Sequence, residues 1–181
     1  IDDPGAKKEW KRAFGEEEGA VVYDLSRAEV SLCPLRNFAR DEATEHFLDH
    51  IVPSVGFDPQ GTEVRQLRQL LRPDERVAES TGALLRYLKA LRGEEAREFE
   101  SLTNALDAAS TVDYLQAIFN EDLPVRDLST APVVIWLTSS LELPDEANTN
   151  ETHLYMRQTP RARARMALYG LMTVLTRVNH A

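Results

Sequence analysis

The sequence predicts an all-α protein, a short solenoid of about three to four antiparallel helical hairpins. Three observations predict it. Apolar residues recur at the spacing of an amphipathic helix between Glu16 and Asn120. The periodic stretches are separated by a few residues marked by Gly or Pro, and helices joined so tightly fold back on one another. The stretch from Asp41 to Pro59, DEATEHFLDHIVPSVGFDP, has the form of a helix running through a Gly-x-x-Pro link into the next helix.

Taken in order, the chain opens with a short helix on which Trp10 and Phe14 share a face. Glu16 to Leu32 reads as a helix with Val21, Leu25, Ala28 and Leu32 inward and Glu16 to Glu18 at its positive end. Pro34 restarts the chain with Leu35, Phe38 and Ala39. In the organising stretch Ala43, Phe47, His50 and Ile51 form the inward stripe, and Pro53 and Gly56 end it. Thr62 starts a helix carrying Val64, Leu67, Leu70 and Leu71. Arg72-Pro73-Asp74-Glu75 carries helix-start signals for a helix with Val77, Leu84, Leu85, Leu88 and Leu91, stopped by Gly93. Glu94 opens another, with Phe99, Leu102 and Leu106 inward. Ser110-Thr111-Val112-Asp113 has the capping-box pattern before Val112, Leu115, Ile118 and Phe119. Over residues 131–143 the β-branched run Val133-Val134-Ile135 suits a strand, but no partner strand is evident in the sequence. Pro132 behind Ser129 or Thr130 suits a helix start, and the helix is favoured. An acidic loop at 144–151 precedes a last helix, 160–178, whose stripe is Leu168, Leu171, Met172, Leu175 and Val178.

Composition narrows the function classes. The chain has 181 residues, 43% of them apolar, enough for one core in one domain spanning 1–181. No stretch approaches the roughly 20 apolar residues of a membrane-spanning helix. A formal charge of −9 disfavours general nucleic-acid binding, which needs a basic surface to displace counterions, and favours docking on basic protein surfaces. The single Cys33 leaves no internal disulfide and no cysteine-built zinc site, and reads as a small buried apolar residue. The first residue is Ile1, which suggests either a fragment or a mature chain whose targeting segment has been removed.

Two clusters carry candidate chemistry. Arg161, Arg163 and Arg165, with Arg157 just before them, crowd the start of the last helix, where cations oppose the macrodipole by about 0.3–1 kcal/mol each when exposed. A compensating anion is expected, either from the acidic loop at Glu142, Asp145, Glu146 and Glu151 or from a partner surface or phosphate. These arginines, with Trp10 and Trp136, are the candidate partner-binding residues. His46 and His50 have the spacing of helical metal ligands, with Glu45 and Asp49 beside them, but the run His-Phe-Leu-Asp-His lacks the glutamate that follows the first His in zinc proteases. Histidines packed between helices are the expectation. No phosphate loop, nucleophile elbow or Cys-x-x-Cys is present, so no catalytic, cofactor-binding or metal residues are assigned.

Glu42, Ala43, Phe47, Asp49, Ile51, Gly56 and Pro59 resemble the second half of a pentatricopeptide repeat, and Val21-Val22-Tyr23-Asp24-Leu25 resembles the opening of its first helix. Two extra residues before Gly56, Ile51 near the usual Met, and Pro34 inside the first helix depart from the pattern. The resemblance covers residues 21–59 and implies a right-handed solenoid of hairpins that holds another molecule. Reading RNA this way requires many regular repeats, so a protein partner is favoured, with a small RNA-binding repeat protein and a helical metal-dependent enzyme as alternatives. Size, acidity and degenerate repeats are similar to those of the accessory subunit on the catalytic head of euglenozoan mitochondrial ATP synthase. That likeness implies a non-catalytic subunit in the mitochondrial matrix, bound to the α subunit and needing no cofactor.

Overall fold

In the computed structural model, residues 21–125, 131, 133–137 and 160–177 are described. The first element is a strand. β1 (Val21–Asp24) pairs in parallel with β2 (Val134–Leu137), in the register Val21↔Val134, Val22↔Ile135, Tyr23↔Trp136 and Asp24↔Leu137. Both expected helices here, 16–32 and 131–143, are therefore corrected over their described residues. Val21, Leu25, Ala28 and Leu32 have helical spacing, but the apolar residues buried are Val22, Leu25, Val30 and Leu32, while Val21 and Ala28 are only partly covered. The β-branched and aromatic runs Val-Val-Tyr and Val-Ile-Trp suit the pleated surface better than a helix. The missing partner strand exists, and more than a hundred residues of chain separate the two. Parallel strands need a long crossover, and residues 25–133 supply it.

After a single 3-10 turn (Leu25–Arg27), residues 31–33 run extended beside a later part of the chain: Ser31 N–H donates to Pro124 O at 2.9 Å and Leu32 N–H to Ala117 O at 2.7 Å. α1 (Pro34–Asn37) starts on Pro34, and α2 (Arg40–His46) runs without a break into a π-helical turn, Phe47–Ile51, and then α3 (Val52–Ser54). Pro53 explains the widened turn. It has no N–H for the carbonyl of Asp49 and its ring would clash with that carbonyl. The chain relieves this just upstream, where Val52 N–H reaches back five residues to Phe47 O. The rod buries Ala43, Thr44, Phe47, Leu48, Ile51 and Val52, a broader band than the predicted stripe, and His50 lies at its half-covered edge.

α4 (Thr62–Leu70) forms as predicted and buries Val64 and Leu67. α5 (Thr81–Ala90) starts eight residues after the predicted signal at Pro73, which makes a turn instead. The operative cap is Ser80, whose hydroxyl accepts from Ala83 N–H at 2.9 Å. α6 (Gly93–Glu98) and α7 (Glu100–Ser110) follow, the second burying Leu102 and Leu106. The predicted capping box closes the helix behind it rather than opening the next: Ser110 Oγ donates to Asp107 O and Thr111 Oγ1 to Ala108 O. A 3-10 turn (Asp113–Leu115) and α8 (Gln116–Phe119) then return to the core.

The last helix, α9 (Pro160–Arg177), starts at the predicted proline and packs on the π turn and α3. One cluster of buried side chains runs through most of these helices, from Leu32 and Phe47 through Leu84, Leu102 and Ile118 to Leu168 and Leu171. The chain is thus mostly helical, as the sequence predicts, with a two-stranded parallel sheet among the described residues. No repeated hairpin unit is visible among them, and the segment expected to be the first repeat begins in a strand.

Candidate functional site

Two residues with little or no side chain decide how closely α9 approaches the π turn. A β-carbon on Gly170 would lie 2.6 Å from His50 Nδ1 and 2.7 Å from its Cε1, so the imidazole rests directly on the helix backbone. Gly56, at the exit of α3, has φ +95°, a left-handed conformation that disfavours any side chain, and a β-carbon there would lie 3.1 Å from an Arg163 guanidinium nitrogen.

Between these contacts the elements leave a cleft of about 250 Å³, lined by Asp49, His50, Pro53 and Ser54 on one side and Arg163, Met166 and Ala167 on the other. Its wall is mostly apolar, and Met166 stands at its rim with 52% of its surface exposed. Ser54 Oγ is committed to Ile51 O at 2.6 Å. The fixed charges of Asp49 and Arg163 are opposite in sign. His50 is pushed below its ordinary pKa by burial first and by the neighbouring charge of His46 second, with Asp49 opposing. The cleft can thus hold an apolar group beside a small number of polar ones.

The two sequence-predicted clusters meet here in part. Arg163 and His50 share the cleft. Arg165 turns inward and is buried at 8% exposure, so it does not belong to an outer surface of this chain. Arg157, Trp10 and the side chain of Arg161 lie outside the described residues. Trp136 is half-buried on β2, its ring tilted against Tyr23 at 5.2 Å between centroids, and its buried indole N–H has no acceptor among the described residues.

His46 and His50 stack, with ring planes 10° apart and centroids 6.0 Å apart, and His46 also leans on Phe38 at 4.0 Å. Among the described residues no group of three or more His, Cys, Asp or Glu is placed to hold a metal ion. Cys33 is buried against Thr81, with 3.2 Å between Sγ and Oγ1, and burial pushes its thiol above the ordinary range while the hydrogen bonds to Thr81 oppose this. That environment makes the thiol inert.

Sequence reasoning missed Met166 and Gly170. Both carry a signal in retrospect: Met166 is an apolar residue outside the buried stripe, and Gly170 is a glycine inside a strong helical pattern, which marks a close approach. Among the described residues no helix is long and apolar enough to cross a membrane. Comparison of this chain with protein-family models, with curated proteins and with solved structures gives no match.

Proposed function

We propose that this chain is a non-catalytic helical module that binds another protein by taking one of its apolar side chains into the cleft between the π turn and α9. The observation that carries the reading is the cleft's size and wall. At about 250 Å³ it lies below the roughly 300–1,000 Å³ of small-molecule and cofactor sites, and it is mostly apolar with one exposed methionine at its rim. A pocket of that kind suits a single anchor residue, around which neighbouring contacts exclude water.

The test is recovery of the tagged chain from its native source with whatever protein accompanies it. Met166→Glu places a carboxylate at the rim without touching the core, and is expected to lose that protein at least tenfold relative to Met166→Leu. Equal recovery in both variants overturns the reading. The finer identification of the partner, the α subunit of a mitochondrial ATP synthase head, is supported by the residues from Glu42 to Pro59 quoted above. The half of the resemblance at Val21 to Leu25 falls instead on β1 and the turn after it. Co-migration with the intact synthase on a native gel tests it.

A second reading starts from the strand pair. Parallel strands occur almost only in α/β sheets covered on both faces, and β1 and β2 have the near-continuous apolar runs of such strands. On this reading residues 25–133 are a helical insertion between two neighbouring strands of an α/β sheet. Ligands in such sheets lie beyond the carboxyl ends of the strands, the end marked here by Asp24 and Leu137. Slow amide exchange at Val22, Tyr23, Ile135 and Trp136 in the full chain supports it, because an isolated strand pair is marginal in water. Exchange there as fast as in the turns removes it.

A further inference from the structure

We infer that the row Phe38, His46 and His50, closed by Gly170, is a proton-sensitive clasp: neutral His50 holds α9 on the π turn and keeps the cleft formed, and protonated His50 releases it. The control of binding rests on the cleft reading above, whereas the release of α9 is a property of the chain alone.

The geometry supplies the clasp. At Gly170 the backbone of α9 leaves no room for even a β-carbon, which would lie 2.6 Å from His50 Nδ1, so the helix sits where the imidazole allows. His46 lies nearly parallel to that ring, with centroids 6.0 Å apart, and is itself backed by Phe38 at 4.0 Å. Among the described residues, three charged groups are set around His50. On its own helical rod they are His46, whose charge repels a second cation, and Asp49, which attracts one. From α9 the guanidinium of Arg163 lines the same cleft, and α3 contributes Pro53 and Ser54, which do not ionise. A proton on His50 therefore enters a half-buried position facing one or two cations and one anion, and leaving α9 exposes it to water.

The sign follows from the direction of the shift. His50 binds its proton less readily in the folded chain than at its ordinary value of 6.5. The docked state is therefore fully favoured above that value, loses stability as pH falls below it, and has lost all of this contribution once pH is below the folded-state value. A single proton weakens docking by at most about tenfold per pH unit within that window.

The experiment is amide exchange of the full chain, without partner, between about pH 8 and about pH 5, corrected for intrinsic exchange. Protection of the Ala167 to Leu175 segment is expected to fall below about pH 6.5 in the wild type and to stay level in His50→Gln. His46→Gln removes one cause of the shift and is expected to leave a smaller fall. A level wild-type profile, or an equal fall in His50→Gln, overturns the inference. Should His50→Gln fail to fold, the C2 proton of His50 in the wild type decides by NMR. A titration midpoint at or above about 6.5 overturns the clasp, and one below it that tracks the loss of protection supports it. Since no partner is present, a failure here is distinct from a failure of the cleft to bind protein.

Discussion

Gly170 has no side chain because His50 occupies the place where one would begin. Gly170→Ala puts a β-carbon 2.6 Å from the imidazole, closer than packed atoms approach. The gain in helix propensity over Gly, under about 1 kcal/mol, is outweighed by overpacking of about 1–3 kcal/mol. Urea denaturation is expected to show net destabilisation, partly recovered when His50→Ala is added, and additive effects would show that the two residues do not touch. Cys33 offers a second check at this scale. Its buried thiol is held protonated, so reaction with a thiol reagent is expected to be at least about a hundredfold slower in the native chain than in urea and to report opening of the fold.

Among the elements, the rod from Arg40 to Ser54 combines a proline with a deeply buried face, and its π turn lets both coexist. Phe47 opens that turn fully buried, and Phe47→Ala is expected to cost about 3–5 kcal/mol, read from the denaturation midpoint. At the start of α5, Ser80 accepts from Ala83 N–H and donates to Glu121, which Arg86 also holds. Glu121 is kept below the ordinary carboxylate range by its hydrogen bonds to Arg86 and then Ser80. Ser80→Ala is expected to cost about 1 kcal/mol through the lost cap. In α9 the inward side chain of Arg165 changes what a charge reversal does. Arg165→Glu brings a carboxylate into a buried position and is expected to lower the melting temperature, whereas reversal at a solvent-facing arginine would spare it.

For the whole molecule, one buried cluster runs from the rod through α5, α7 and α8 to α9. Leu84→Ala and Phe47→Ala lie in different elements of that cluster, so each is expected to shift a single transition seen alike by circular dichroism and by tryptophan fluorescence. Two separated transitions would divide the core. The far-ultraviolet spectrum is expected to be mainly helical, with the strand pair a minor contribution.

The sequence by itself determined the helical character, the extent of α4, the inward placing of Phe99, Leu102 and Leu106, the start of α9 at Pro160, and the burial of Cys33, whereas Gly93, expected to stop α5, opens α6. Each depends on local spacing, caps or side-chain size. It misjudged α5, because Pro73 and the acids after it are start signals that a turn also satisfies, and Ser80 was the cap that found its N–H. Tertiary structure alone decided the strand pair. A short apolar run buries as well in a helix as in a strand, and the choice for Val133 to Leu137 depended on Val21 to Asp24, more than a hundred residues upstream. The cleft was decided in the same way. His50 was visible in the sequence as part of an inward stripe, and Arg163 as a cation in need of an anion. Only the seating of α9 on the π turn, with Gly170 against an imidazole and Gly56 against a guanidinium, brings them to one place.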